Sequence, residues 1–256
     1  MTVLSTPDRL PPSAPDSPIL TQYTITPPDT PTHTSTSPGI DIYTPCTTVA
    51  YHSSILNCDI LSYTNKSLGI AYQLWESSAV LSTYIESLAT QSYWCDKSVI
   101  ELGSGCGSCS ILLCKLGCKS VDCTDLSAAI PHLQHNLDIN NIGHSNHIHA
   151  IQCNWGAELT SDIQRKQYDV IIGSDLLYWD QLFLPLLHTI NQLYSHSPNI
   201  IMYLAQTPRR HKTESRFYKL LRKNNYVVEI VYTQKLQVAD RQHVTIYKIT
   251  KPIRTK

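Results

Sequence analysis

The residues best suited to chemistry in this 256-residue chain surround a glycine-rich loop. Residues 99–107 read VIELGSGCG, with Gly103, Gly105 and Gly107 at alternate positions. Glycines in such a loop remove the Cβ atoms that would keep a ligand away from the backbone. Asp125 ends the next predicted strand, roughly 20 residues further on, where an acid can accept two hydrogen bonds from ribose hydroxyls. Together these residues predict a site for a ligand that carries a ribose.

Other interpretations of the same residues stay open. Asp122 lies in the same predicted strand and competes with Asp125 for the ribose. Asp125 could instead cap the helix that follows it, and the glycine loop could be a tight turn without a ligand. A nicotinamide dinucleotide site expects glycine or alanine at position 108, so that helix and strand pack closely. This chain has Ser108 there, which argues against such a dinucleotide.

A second candidate site follows a continuous apolar run, YDVIIG at residues 168–173. A central parallel strand has this pattern, because it is buried on both faces. Asp175 comes just after the run, and the open carboxyl end of a central strand is where doubly wound sheets bind ligands. Asp175 could also be only a helix cap. Tyr178 lies three residues further on and either lines the same site or packs in the core.

The elements that must position these residues alternate along the chain. Apolar spacing predicts helices at residues 75–91, 107–116, 182–194 and 213–223, and another that carries Leu126, Ile130, Leu133 and Leu137 on one face. Pro131 must lie in the first turn of that helix or kink it. Strands are predicted at residues 98–102, 120–124, 147–153, 168–173 and 199–205. Residues 226–233 and 243–250 should pair as an antiparallel hairpin, because little sequence separates them.

The predicted fold is therefore α/β: a doubly wound, Rossmann-like, seven-stranded sheet that is mostly parallel and has an antiparallel last strand. An accessory hairpin is expected at residues 55–63, before the first helix. Residues 1–48 are predicted to be a disordered tail rich in Pro, Ser and Thr, which holds ten of the fifteen prolines. Such a segment cannot bury enough apolar surface to offset its ordering entropy. Residues 49–256 are predicted to form one domain.

Composition narrows the partners and the compartment. The formal net charge is zero and the isoelectric point is near 7.1, which predicts no binding to nucleic acid or membrane through bulk charge. No apolar run approaches the roughly 20 residues of a membrane span, and no secretory signal is expected at the N-terminus. The nine cysteines are odd in number and lie in apolar segments, which favours a reducing compartment. We therefore expect a cytoplasmic protein, with the nucleus as a second location.

A metal site is the alternative use of these cysteines. Cys106 and Cys109 have a spacing found in zinc sites. The neighbouring cysteines, however, fall on a loop, a helix and a strand of the glycine-loop unit, where Cys114 and Cys118 match core positions. We expect no metal.

The glycine loop and four further stretches carry a family resemblance. The acid-x-Gly-x-Gly-x-Gly pattern of residues 101–107 resembles the first motif of class I S-adenosylmethionine methyltransferases. The LWESSAVL of residues 74–81, the Asn154-Trp155-Gly156 triplet and the GSDLLY of residues 173–178 resemble methyltransferase family 16, and HVTIY at residues 243–247 resembles the family's last strand. This family contains protein-lysine methyltransferases, including enzymes that act on chaperones and elongation factors. The resemblance covers residues 70–250, in matching order and spacing.

The resemblance implies S-adenosylmethionine as the cofactor and makes residues 49–256 a methyltransferase domain. The implied cofactor contacts are Trp75, Glu101, Gly103, Gly105, Asp125, Trp155 and Ser174. Asp175 and Tyr178 would stand where the methyl group leaves the cofactor, as the catalytic pair. Some relatives have an acid where this chain has Asn154, and an asparagine can still pair with an adenine edge.

The implied reaction is an in-line methyl transfer to a lysine amine of a protein such as a chaperone or a translation factor, by a monomeric enzyme. Near pH 7 only on the order of one lysine in a thousand is neutral, because the amine has a pKa of about 10.4. A channel that desolvates the ammonium lowers that pKa. Asp175 would hold and orient the amine, and Tyr178 would line the channel. The alternatives are methylation of an arginine or histidine side chain, methylation of a small amine, and an inactive scaffold that binds the cofactor.

Overall fold

The computed structural model describes residues 20–23, 46–89, 92–208, 211–236 and 243–252. The strands are β1 (Leu20–Tyr23), β2 (Thr47–Ser53), β3 (Cys58–Thr64), β4 (Ser98–Leu102), β5 (Ser120–Asp125), β6 (Ile148–Gln152), β7 (Val170–Ser174), β8 (Ile201–Gln206), β9 (Val227–Lys235) and β10 (His243–Thr250). The α-helices are α1 (Glu76–Leu88), α2 (Ser108–Lys115), α3 (Ile130–Ile139), α4 (Ser161–Gln164), α5 (Phe183–His196) and α6 (His211–Lys223).

Seven strands form the main sheet in the order β6-β5-β4-β7-β8-β10-β9. The pairs from β6 to β8 are all parallel, and β10 runs antiparallel to both β8 and β9. The predicted sheet and its final hairpin are thus confirmed. β4 has β5 on one side and β7 on the other, so the winding of the chain reverses at β4. Doubly wound sheets open a crevice at such a point, beyond the carboxyl ends of the strands.

Helices cover both faces of this sheet and produce two hydrophobic cores. Successive side chains of a strand point to opposite faces, so Val99 joins the core that contains Leu112 of α2. Ile100, the next residue of β4, joins the core that contains Leu186 of α5 and Phe217 of α6. All five residues of β4 are buried, including Ser98 and Glu101, and the strand has the bounds predicted from the sequence.

A separate three-stranded sheet, β1-β2-β3, precedes the main domain. The hairpin predicted at residues 55–63 is present, but its first strand is β2, and residues 54–57 form the turn. β1 lies inside the segment predicted to be a tail, and it pairs antiparallel with residues 48–51 of β2. The other residues between 1 and 45 lie outside the described residues, so their disorder stays a prediction.

The predicted helix face that began at Leu126 needs one correction. Leu126 lies outside α3 and its side chain is 58% exposed. A 3-10 turn at Ser127–Ala129 comes first, and α3 begins at Ile130 with Pro131 in its first turn, where a proline costs no hydrogen bond. The spacing of Leu126 therefore matched the helix by coincidence.

Hydrogen bonds of buried side chains attach the small sheet to the main domain. Tyr51 and Ser53 of β2 both donate hydrogen bonds to the carboxylate of Glu86 in α1, the first at 2.8 Å. On the other side, Asn140 of α3 accepts from the backbone N–H of Leu61 and donates to its carbonyl, as a neighbouring strand would. The small sheet is thus bound to two helices of the main domain, α1 and α3.

None of the helices in the described parts of the chain is long and apolar enough to cross a bilayer.

The Glu86 carboxylate gives a direct test of this attachment. Glu86→Ala removes the acceptor of two hydroxyl groups in a buried position. Hydrogen bonds to charged groups contribute about 1.5–3 kcal/mol each, so the loss of two should lower the free energy of unfolding by about 3–6 kcal/mol. Urea denaturation measures this. The matched control is Glu76→Ala in the exposed first turn of α1, which should cost less than about 1 kcal/mol. Equal losses in the two variants would contradict the role of Glu86.

Candidate active site

A cavity of about 500 Å³ opens beyond the carboxyl ends of β4, β5 and β7. All nine residues predicted for the site line this cavity: Trp75, Glu101, Gly103, Gly105, Asp125, Trp155, Ser174, Asp175 and Tyr178. The fold therefore brings together residues that are up to 103 positions apart, Trp75 and Tyr178 (178 minus 75). The reason is topological, because the carboxyl ends of parallel strands meet at one edge of the sheet.

The glycine loop forms the floor of the cavity. Gly103 and Gly105 have φ angles of 62° and 54°, which residues with a Cβ rarely adopt. A Cβ on Gly103 would lie 3.0 Å from a methyl carbon of Leu176 and 3.1 Å from the ring of Trp155. A Cβ on Gly105 would lie 3.1 Å from the carbonyl oxygen of Ala71. Bare backbone is therefore required here for both conformation and space.

Asp125 joins the loop to the end of β5. One carboxylate oxygen accepts from the backbone N–H of Gly105 at 2.8 Å, and the other accepts from the backbone N–H of Leu126 at 2.7 Å. Burial raises the pKa of this carboxyl. The N-cap of α3 is Ala129, so Asp125 does not cap that helix. The carboxylate remains beside the loop, at the position expected for a ribose contact.

Asp122, the competing acid, serves the structure elsewhere. Its side chain is fully buried and does not line the cavity. It accepts from the Lys166 ammonium at 2.7 and 2.8 Å, from the Tyr168 hydroxyl at 2.5 Å, and pairs with His149 Nδ1 at 3.1 Å. A buried carboxylate with three partners is a structural ion pair, which leaves Asp125 as the acid at the site.

Glu101 lies beneath the glycine loop, where it is almost fully buried. Burial raises the pKa of its carboxyl to about 7, while a hydrogen bond from the Ser110 hydroxyl at 2.5 Å acts in the opposite direction. Glu101, Asp125 and Asp175 are the acidic residues among the described residues that line the cavity, which include no lysine, arginine or histidine. Such a cavity attracts cations.

Two tryptophans flank the cavity. Trp75 is the N-cap residue of α1, and its indole N–H donates to the carbonyl of Ile70 at 3.2 Å. Trp155 follows β6 and lies against the loop at Gly103. The turn that carries it is fixed by a hydrogen bond from the Gly156 N–H to the Thr189 hydroxyl at 3.1 Å. Both rings therefore have defined positions against which a flat ligand can pack.

Asp175 and its neighbours form the wall after β7. Asp175 is buried and has a φ of 52°, unusual for a residue other than glycine. Its two carboxylate oxygens accept from the backbone N–H of Thr207 at 2.7 Å and from the Thr207 hydroxyl at 3.2 Å. The next helix, α5, has Leu182 as its N-cap, so Asp175 does not cap it. Ser174, the last residue of β7, lies half-buried beside it.

Tyr178 is half-buried, and its ring meets Trp179 edge to face with 5.2 Å between the ring centres. Burial raises the pKa of its hydroxyl, which therefore stays protonated near neutral pH. Trp179 itself is 52% exposed at the mouth of the cavity. These two rings line the same cavity as Asp175.

The roof of the cavity is formed by residues 65–75, hereafter the roof segment, and of these residues sequence reasoning predicted only Trp75 for the site. It contains two 3-10 turns, Lys66–Leu68 and Ile70–Tyr72, and residues 68–75 line the cavity. The Tyr72 hydroxyl donates to the carbonyl of Ala128 at 2.9 Å, which holds the roof segment against the start of α3. Asn65, whose side chain caps the first turn, and Gly69, with a φ of 119°, were the available turn signals. Thr207, the partner of Asp175, was also missed, because no motif contains it.

All nine cysteines are free thiols. Cys106 lines the cavity, and burial raises the pKa of its thiol to about 12, so the thiol is neutral. A neutral thiol is a poor metal ligand. Within the described ranges, no group of three or more His, Cys, Asp or Glu side chains is arranged to hold a metal ion.

The cavity fits S-adenosylmethionine, the cofactor that the resemblance implies. Its volume falls within the roughly 300–1,000 Å³ of typical ligand pockets. The bare backbone at Gly103 and Gly105 allows a close approach, and Asp125 offers a carboxylate for a ribose. The excess of acids suits a ligand that carries a sulfonium and an amino group.

The two candidate acids can be separated by mutation. Asp125→Asn keeps the shape and removes the charge, so we expect the affinity for S-adenosylmethionine to fall about tenfold or more, since one hydrogen bond to a charged group contributes about 1.5–3 kcal/mol. Asp122→Asn is the matched control on the same strand. It should lower the melting temperature while the folded protein keeps its affinity. Calorimetry measures the affinities, and the opposite pattern would show that Asp122 is the ligand contact.

Glu101 predicts a pH dependence. Because its pKa is raised from 4.5 to about 7 in the folded state, the folded protein binds this proton more tightly than the unfolded chain. Its contribution to stability is therefore fully present below about pH 4.5 and is lost as the pH rises to about 7. Glu101→Gln, which cannot ionise, should gain stability relative to the unmodified protein between pH 4.5 and 7.5. Urea denaturation across this range measures the gap, and a constant gap would contradict the raised pKa.

Comparison with known proteins agrees with this site. Residues 56–224 match the lysine methyltransferase family. The chain is 29% identical over 187 residues to the protein N-lysine methyltransferase METTL21A of Mus musculus, covering 73% of this chain and 80% of that one. It is 30% identical over 179 residues to METTL21A of Danio rerio, covering 70% and 79%. It is 27% identical over 192 residues to EEF1A lysine methyltransferase 3 of Xenopus tropicalis, covering 75% and 80%.

A solved structure supports the fold. The precorrin-6y C5,15-methyltransferase of Geobacter metallireducens has a TM-score of 0.50 and 16% sequence identity, covering 75% of this chain and 94% of that one. At this identity the likeness concerns the fold alone. The family match spans well over half of the chain and includes the glycine loop, Trp75, Trp155 and the segment after β7. This protein therefore belongs to the lysine methyltransferase family, and S-adenosylmethionine is its cofactor.

Proposed function

We propose that this lysine methyltransferase carries out methyl transfer in the cavity beyond β4, β5 and β7, with Asp175 and Tyr178 at the acceptor side. The proposal rests on the lining of one cavity, which contains both the bare backbone of the glycine loop and the residues that follow β7. The described lining residues include three acidic residues and no lysine, arginine or histidine. A cationic cofactor and a cationic lysine can therefore meet in the same space.

On the cofactor side, seven residues would act. The backbone at Gly103 and Gly105 would approach the methionine part, and Asp125 would accept hydrogen bonds from the ribose. Trp155, which lies against Gly103, would pack on the adenine. Trp75 and Ser174 would complete the enclosure, and Glu101 would balance positive charge from beneath the loop. When bound, S-adenosylmethionine supplies an electrophilic methyl group on a sulfonium centre.

On the acceptor side, the lysine must lose its proton before it can attack. The Tyr178 and Trp179 rings provide an apolar passage, and desolvation there lowers the lysine pKa. Asp175 attracts the incoming ammonium, which by itself favours the protonated form. Its useful role is therefore to orient the amine, while the apolar passage promotes proton loss to water. Positioning of this kind contributes much of the rate in transfer reactions.

The proposed acceptor is a lysine on a folded protein. EEF1A lysine methyltransferase 3 is named for its action on EEF1A, so a translation factor of this type is the first acceptor to test, with chaperones second. The zero net charge favours a protein acceptor over nucleic acid or a membrane surface. Nine free thiols favour a reducing compartment, the cytoplasm and also the nucleus, and we propose that the enzyme acts there as a monomer.

The experiment that tests the proposed function uses S-adenosylmethionine with a labelled methyl group. The protein is incubated with this cofactor and either purified EEF1A or a cell lysate, and mass spectrometry identifies the modified residue. We expect label on lysine side chains of one or a few proteins. Label confined to arginine, histidine or small amines, or no labelled product while the cofactor binds, would contradict the proposal.

Asp175 separates chemistry from cofactor binding. Asp175→Asn keeps the shape of the side chain, and asparagine, like aspartate, tolerates a positive φ. We expect the affinity for S-adenosylmethionine to change little, whereas methyl transfer should fall on the order of a hundredfold, as when other catalytic electrostatic contacts are lost. Part of the rate should return at high pH, where more lysine is neutral. Calorimetry and methyl-transfer assays measure the two effects, and loss of cofactor binding instead would make Asp175 a cofactor or structural residue.

A further inference from the structure

We infer that Thr207 is a positioning residue for Asp175, and that it holds the carboxylate in the orientation which the acceptor amine needs. This inference rests on the proposed function of Asp175. It concerns a residue outside the nine that the sequence predicted for the site.

The first observation is a two-point contact. The Thr207 backbone N–H donates to Asp175 Oδ1 at 2.7 Å, and the Thr207 hydroxyl donates to Oδ2 at 3.2 Å. Both side chains are buried, with 6% and 7% of their surface exposed. One residue thus engages both oxygens of the carboxylate, which restricts its rotation about the side-chain bonds.

The second observation is where Thr207 lies. β8 ends at Gln206, and the last backbone pairing between β7 and β8 joins Ser174 to Ala205. The Thr207 N–H comes after the end of that ladder. It binds the Asp175 side chain, so the end of one parallel strand positions the functional group at the end of its neighbour.

The third observation is the backbone of Asp175, whose φ of 52° needs support from its surroundings. The end of β8 provides it. The Asp175 N–H donates to the Ala205 carbonyl at 2.9 Å, and the Leu177 N–H donates to the Gln206 side-chain oxygen at 3.2 Å. With the Thr207 contacts, three consecutive residues of the β8 end hold the turn that carries Asp175.

The consequence is a carboxylate that is oriented before the acceptor arrives. An oriented group spends no free energy on ordering during the reaction, and small misplacements near reacting atoms can cost large factors in rate. The hydroxyl of Thr207 is the part that a mutation can remove, because its backbone N–H remains in every variant. Loss of the hydroxyl should therefore loosen the carboxylate without detaching it.

The test compares Thr207→Val, which keeps the shape and loses the hydroxyl, with Thr207→Ser, which keeps the hydroxyl. The assay uses a saturating concentration of S-adenosylmethionine that carries tritium in its methyl group. It measures the initial rate at which this methyl group is transferred to the proteins of a cell lysate. We expect Thr207→Val to lower the rate about tenfold, since a single hydrogen bond to a charged group is lost, and Thr207→Ser to restore most of it. Cofactor affinity should stay within about twofold in both variants.

The matched control is Thr245→Val. Thr245 is a buried strand threonine on β10 whose hydroxyl contacts Thr233, outside the cavity. This variant should transfer methyl groups at the normal rate. If Thr207→Val lowers the rate no more than Thr245→Val does, or if Thr207→Ser fails to restore it, then Thr207 is only a structural residue and the inference is wrong.

A double mutant shows whether Thr207 acts through Asp175. Once Asp175 is replaced by asparagine, adding Thr207→Val should cause little further loss, because the two residues act as a unit. Additive losses would overturn the inference. A normal rate in Asp175→Asn alone would overturn the proposed role of Asp175 and the inference with it. A slow Asp175→Asn variant beside a normal Thr207→Val variant would overturn only the inference about Thr207.

Discussion

The hydrogen bonds that join the glycine loop to the end of β5 are the interaction on which the rest of the site depends. The Thr124 hydroxyl donates to the Glu101 carbonyl at 2.6 Å, the Ser104 N–H donates to the Thr124 carbonyl at 2.9 Å, and the Gly105 N–H donates to Asp125. These contacts continue the parallel pairing of β4 and β5 beyond the end of β4. The glycines of the loop are thus held at positive φ, and Asp125, the acid proposed to bind the ribose, is brought into place by the same contacts.

The electrostatics of the cavity follow from that arrangement and oppose stability. Glu101 and Asp125 are held close together in a buried region, and burial raises the pKa of both. Buried carboxylates without a cation cost free energy, whereas Asp122 on the same strand is compensated by Lys166. The contrast between these acids is informative. Asp122 has its cation within the protein, whereas the described residues that line the cavity beside Glu101 and Asp125 include no lysine, arginine or histidine.

Much of this architecture could be predicted, because it follows from local patterns. β4 has its predicted bounds, and the positions of Asp125 and Asp175 follow from the rule that ligands bind at the carboxyl ends of parallel strands. The missed features have no local pattern. The roof segment is too short to show periodicity. The contact between Thr207 and Asp175 spans 32 residues, so it can be predicted only once the strand pairing is known. Leu126 matched the face of a helix that begins only after the 3-10 turn at Ser127–Ala129.

The small sheet, expected to be only an accessory hairpin, has a larger part in the site. The roof segment connects the end of β3 to the start of α1, so its two ends are fixed by whatever fixes those elements. Glu86 ties β2 to α1, and Asn140 ties β3 to α3. The backbone N–H of Asn65 also donates to the Tyr72 carbonyl at 2.8 Å, which closes the roof segment on itself. A change in the small sheet would therefore shift Ala71 above the glycine loop, and the geometry of the cofactor cavity depends on contacts made outside it.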